Sequence, residues 1–231
     1  APDTPGNGDS EPLPVVKPEI PDLAAATLEF MDAIDLDRVT VYGSHTGAAV
    51  AAELAILAPD RIKGIIPDGV LTLSPEKLQD YLEHYAHPFE ADLDGTYLLK
   101  AFMFCRDQYV FFPWFKRSAD AQRRGGLGDA KALKDWVVEV LKASETYHLN
   151  YRAAFRWQAV ERMSLVTCPI LLAASESDPI GGTTKAVADA VPGAGFTTLP
   201  RFEDTNFRSH RLETLGQFID ACAASPLEQD T

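Results

Sequence analysis

Among the side chains able to move protons or attack carbon near neutral pH, His45 has a distinctive setting. It is the centre of Gly43-Ser44-His45-Thr46-Gly47, with glycine at both ends. An imidazole titrates near neutrality, so it can serve as a general base or a covalent nucleophile once a carboxylate holds its second ring nitrogen. Four acids could do so: Asp178, just past an apolar run; Glu203 and Asp204, late in the chain; and Asp68. Such a dyad could activate water or take a proton from a substrate. The Thr46 amide, at the start of a helix, could donate to an oxyanion. The competing readings are an inert His45 in a protein that only binds, and Asp178 as an ordinary turn residue before proline.

Further candidates lie between residues 71 and 165. Arg106 could clamp a substrate carboxylate, or simply pair with Asp107. Trp114 closes an aromatic run, Tyr109-Val110-Phe111-Phe112-Pro113-Trp114, and His148 sits in a second aromatic stretch; both could line a pocket, or pack as core. His84 and His87 lack acidic or thiol partners at matching spacing, so no metal site is expected. The glycines around Gly125 lack the phosphate-loop pattern, so no nucleotide or other cofactor is expected.

The elements that must position His45 are legible. Residues 39–42 are a β-branched and aromatic run that reads as a buried strand, and an Ala- and Leu-rich helix follows the glycine-flanked turn until Pro59. Residues 62–66 read as a second buried strand, ending at Pro67-Asp68-Gly69. Strand, helix and strand in this order imply a parallel sheet. Upstream, Asp22 caps a helix through Ile34. Downstream, residues 131–143 form an amphipathic helix in a helical, aromatic-rich block. Residues 169–174 and 196–199 resume the sheet, with a helix over 185–191 between them. A closing helix carries Leu212, Leu215, Phe218, Ile219 and Cys222, and the tail 225–231 is expected to fray.

The chain has 231 residues, 46% hydrophobic, with net charge −13. That is enough for one sizeable unit, or a core plus a subdomain. The acidic balance argues against a nucleic-acid or anionic-membrane surface. No apolar run is long enough to span a bilayer. Cys105, Cys168 and Cys222 have no paired spacing and read as free thiols, which suits a cytoplasmic setting.

The strand–turn–helix around His45 resembles the nucleophile elbow of the α/β-hydrolase superfamily, whose motif is G-x-S-x-G. The departure falls at the decisive place: His45 stands where the family has its nucleophile, and Ser44 is one residue early. Adjacent positions at a strand end face opposite ways, so Ser44 points aside. Asp178 matches the place of the family's triad acid. The family's base histidine follows the last strand, where this chain has Glu203 and Asp204 instead.

The resemblance implies an α/β fold, a mostly parallel sheet with flanking helices, plus an inserted helical cap. Its layout is that of epoxide hydrolases and haloalkane dehalogenases, with 1–70 and 166–231 as core and 71–165 as cap. Residues 1–10 read as the end of a strand and a turn-rich loop, and DTPGNGDS at 3–10 resembles a segment that in the family follows the fourth strand. Three earlier strands and half of the oxyanion hole are then expected to lie elsewhere, on a partner segment or upstream. The other reading is a turn-rich N-terminus of a complete protein. The implied function is a cofactor-independent hydrolase of a small apolar or aromatic substrate, an ester or related bond, with Arg106, Trp114 and His148 lining the site. The alternative is an inactive binder keeping the capped pocket. A small molecule is the expected partner, and a homo-oligomer is admitted.

Overall fold

The computed structural model describes residues 1–224, so the expected fraying of 225–231 lies outside the described residues. The chain divides into two compact units. One comprises Ala1–Glu19 and Leu73–Arg156; the other comprises Ile20–Thr72 and the chain from Trp157 onward.

The second unit carries the sheet. Among the described residues its strands are β1 (Val39–Ser44), β2 (Ile62–Asp68), β3 (Leu171–Ser175) and β4 (Gly195–Leu199). They lie side by side in chain order, every pairing parallel. Parallel sheets need crossovers that cover their faces. The helices are α1 (Ile20–Ala33), α2 (Thr46–Leu57), α7 (Ala159–Met163), α8 (Gly181–Ala190) and α9 (Phe207–Ala224). The numbers α3 to α6 belong to the other unit. Helix α2 packs against β1 and β2, α8 against β3, and α9 against β2.

Alanine content explains how closely α2 sits. Residues 48–55 are all buried, so α2 is enclosed on every side rather than amphipathic. Burying Glu53 in that helix requires paired donors. Arg162 supplies two, to Glu53 Oε1 and Oε2 at 2.6 and 2.7 Å, and Trp157 Nε1 a third at 2.7 Å, which ties α2 to α7. On β2, a Cβ at Gly64 would come 2.5 Å from Cys222 Sγ, so α9 presses directly on the strand there. Ile66, Ala173, Leu199 and Leu215 form a buried cluster under Phe207 and Phe218.

The first unit is helical: α3 (Pro75–His84), α4 (Thr96–Val110), α5 (Ala130–Lys142) and α6 (Tyr147–Arg156). Its aromatics pack mostly on one another. Tyr85 contacts Tyr81, Phe104, Trp114, Tyr151 and Phe155 within 6.5 Å between ring centroids. Asp107, fully buried, is held by Arg106 and Arg117. The N-terminal segment belongs to this unit. Pro5 O accepts from Asn150 Nδ2 at 2.8 Å, and Gly6 O from Thr146 Oγ1 at 2.7 Å.

The strand end expected within residues 1–10 is not there. Asp3 folds back to take the Asp9 amide at 3.0 Å, Ser10 Oγ donates to Asp3 O, and Gly6 and Gly8 adopt φ of 78° and 55°. Local side-chain bonds of this kind compete with ladder formation and close the segment into turns.

Candidate active site

The bend at His45 is built by the backbone. His45 has φ 52° and ψ −109°, a conformation that costs an ordinary residue about 1–3 kcal/mol and persists only where its surroundings impose it. Gly43 shows how. A Cβ there would lie 2.0 Å from Gly47 O, so only glycine lets the strand pass under the first turn of α2. The His45 amide donates to Asp68 O at 2.8 Å, and the Ala48 amide to His45 O at 2.9 Å. These bonds fasten the bend to the ends of β2 and α2. Ser44, the last residue of β1, pairs in register with Asp68.

The raised imidazole meets a buried acid. His45 Nε2 lies 3.1 Å from Asp178 Oδ2; the His45 side chain is 56% exposed and that of Asp178 only 1%. Asp178 stands three residues past β3, and its Oδ1 takes the Ile180 amide at 2.9 Å. One oxygen therefore shapes the turn before Pro179 while the other faces the imidazole. The turn reading holds for Oδ1, while Oδ2 lies where the expected carboxylate partner of His45 would be.

Gly69 sits against this pair. With φ 78°, a Cβ on it would meet His45 Cδ2 at 2.8 Å and Asp178 Oδ2 at 3.0 Å. The tip of β2 is then locked to α8, with the Val70 amide donating to Thr184 Oγ1 at 2.8 Å. The sequence marks Pro67-Asp68-Gly69 as a strand end, but nothing in it signals that Gly69 lies against His45 and Asp178.

A second buried carboxylate, Asp68, ends β2. Tyr42 Oη donates to its Oδ2 at 2.6 Å, and Arg211 Nη2 lies 3.9 Å away while its guanidinium covers the Tyr42 ring at 4.6 Å. Burial raises Asp68 above its ordinary value, against the Tyr42 hydrogen bond and Arg211. Burial and then the Asp68 hydrogen bond push the Tyr42 phenol up to about 12. Tyr42 and Arg211 carried no readable signal, since their meeting depends on how α9 crosses β1 and β2.

The remaining candidates are placed as follows. Thr46 is the first residue of α2. Asp204 Oδ2 accepts the Arg201 amide at 3.2 Å, and Glu203 pairs with the Arg201 guanidinium at 3.6 Å; both acids are exposed. Arg106 donates through Nε to Asp107 Oδ1 at 2.8 Å. Trp114 Nε1 donates to Tyr85 O at 3.0 Å, and its ring lines an apolar cavity in the helical unit. His148 Nδ1 is enclosed with no hydrogen-bond partner among the described residues, and burial holds its imidazole below the ordinary value. The described residues contain no group of three or more His, Cys, Asp and Glu placed to hold a metal ion. None of their helices is long and apolar enough to cross a membrane.

This backbone is shared with known structures. Est816, an N-acyl homoserine lactone degrading enzyme, is 21% identical at TM-score 0.64, covering 94% of this chain and 81% of that one. The enol-lactonase from Burkholderia xenovorans LB400 is 19% identical at TM-score 0.63, covering 96% and 79%. Epoxide hydrolase A from Mycobacterium thermoresistibile is 17% identical at TM-score 0.61, covering 98% and 82%. At these identities the likeness is one of fold. No curated protein sequence matches the chain. The model of the α/β hydrolase fold matches residues 1–188, and the chain belongs to the α/β-hydrolase fold family.

Proposed function

We propose that the protein is a cofactor-independent hydrolase of an ester or lactone, with His45 as general base and Asp178 as its orienting carboxylate. The observation that carries this reading is the 3.1 Å approach of His45 Nε2 to Asp178 Oδ2 at the apex of the elbow. In the tautomer that donates Nε2–H to Asp178, the lone pair lies on Nδ1. Nδ1 takes a proton from water as the water oxygen bonds to the carbonyl carbon, and Asp178 stabilises the imidazolium formed. The Thr46 amide donates to the oxyanion. On collapse the carbon–oxygen bond to the leaving group breaks, and the imidazolium returns its proton to the alkoxide. The products are a carboxylic acid and an alcohol, or a hydroxy acid from a lactone. The fold family and the lactone- and epoxide-cleaving enzymes that share its backbone support a hydrolase.

The test is turnover of short aryl esters and of small lactones by the protein and by His45→Ala. Loss of about 10²–10⁴-fold in kcat/KM with unchanged melting supports the base role. Turnover that survives His45→Ala, or none in the parent protein, overturns it.

One observation favours a second reading, a binder without turnover. The nucleophile position of the elbow carries an imidazole where the family has a hydroxyl, and residues 200–206 between β4 and α9 hold no histidine. Thermal stabilisation by esters that are never cleaved would establish that reading.

A further inference from the structure

A half-open cavity of about 500 Å³ lies within the helical unit, walled by Pro88, Phe89, Leu99, Met103 and Trp114. That size falls in the range of small-molecule sites, about 300–1,000 Å³. The wall continues onto α4 as exposed apolar surface, with Leu99 63% and Leu98 46% exposed.

The charged groups lining it, Lys100 and Arg117, are of one sign, with the His87 ring beside them. Arg117 shares its counter-ion. Asp107 accepts Arg117 Nε on one oxygen at 2.8 Å and Arg106 Nε on the other at 2.8 Å. Two guanidiniums on one carboxylate leave one positive charge uncompensated. Lys100 adds a second, having no hydrogen-bond or ion-pair partner among the described residues. Positive potential beside an apolar hollow, in a chain of net charge −13, is a local reversal of sign. An apolar ligand without charge would leave these cations unused, and a small inorganic anion would leave the aromatic wall unused.

We infer that this cavity binds a medium-chain aliphatic carboxylate, its chain against Phe89, Leu99, Met103 and Trp114 and its carboxylate at Lys100 and Arg117. Arg117 offers planar donors and Lys100 a mobile ammonium, a combination suited to a carboxylate at a rim. Binding needs no turnover, so the inference stands apart from the chemistry assigned to His45.

The experiment is calorimetric titration of octanoate into the full chain, with octanol as the uncharged counterpart. One saturable site with Kd in about the 0.1–1 mM range is expected, by the usual affinity per non-hydrogen atom. Lys100→Glu should weaken octanoate about tenfold and leave octanol unchanged. His45→Ala should bind octanoate as the parent does. Position is read on the unaltered protein by 8-bromooctanoate, which should quench tryptophan fluorescence, and the quenching should vanish in Trp114→Phe. Absence of saturable binding, octanol binding as tightly as octanoate, an unchanged Kd in Lys100→Glu, or quenching that persists in Trp114→Phe would each overturn the inference.

Discussion

Asp107 and Asp178 are both withdrawn from water, with side chains 0% and 1% exposed, yet they are held in different ways. Asp107, in the helical unit, lies between two guanidiniums that never lose their charge. Asp178, beside the sheet, faces one half-exposed imidazole carried on a left-handed backbone. The first arrangement can only be kept or broken. The second pairs the carboxylate with a group that, under the proposed reading, takes and returns a proton. A buried carboxylate therefore marks a site by its partner and not by its burial.

The largest expected effect that would separate the two is on turnover. Asp178→Asn should lower kcat for ester or lactone cleavage about 10²–10⁴-fold, while Asp107→Asn leaves kcat per folded molecule unchanged. Equal losses in steady-state kinetics would collapse the distinction. Stability should show the opposite order. Asp107→Ala is expected to cost about 2–3 kcal/mol in denaturant unfolding, less than the about 3–5 of a fully enclosed pair, because both guanidiniums can rehydrate. Asp178→Asn should cost less than half of that.

A smaller effect tests the space around the dyad. Gly69→Ala should cost about 1–2 kcal/mol and depress turnover, because the new methyl meets His45 and Asp178 at a positive φ. Gly216→Ala, in α9 with nothing near its Cβ, should instead stabilise by about 0.5–1 kcal/mol. If both glycines respond alike to thermal unfolding, crowding at Gly69 is not the cause.

The smallest effect concerns a further buried carboxylate, Asp68, whose folded pKa lies above its ordinary value near 3.8. Between the unfolded and folded values the native state holds more protons, so stability falls as pH rises through that window. Asp68 contributes most below its unfolded pKa and progressively less above it. The melting temperature of Asp68→Asn, measured relative to the parent, should rise as pH is raised from about 4. A constant difference across the acid range would mean that burial does not govern this group.

Much of the sheet unit was legible because its signals are local. The β-branched run of β1, the alanines of α2 and the glycines at 43 and 47 state strand, close approach and bend within twenty residues. The pairing of His45 was harder to read. Asp68, Asp178, Glu203 and Asp204 all end or follow strands, and sequence cannot say which loop leans toward the elbow. The choice depends on loop geometry, with Asp178 tied down by the Ile180 amide and Glu203 and Asp204 engaged on Arg201. The aromatics of residues 71–165 were ambiguous for a related reason, since rings that fill a core and rings that wall a cavity share the same spacing. At the N-terminus the turns were legible from the glycines and prolines, but the strand end expected before them is absent, because Asp3 spends its carboxylate on a neighbour six residues away.

The tight crossing of Gly43 over Gly47 O has a consequence for how this chain could change. The bend is fastened from beneath, by main chain on main chain, at Gly43 against Gly47 O and at the His45 amide on Asp68 O. Position 45 behaves as a socket: a serine, cysteine or aspartate seated there would inherit the same elevation and the same helix amides. New reactivity is open to the protein through that one residue, while the glycine two places before it has to stay.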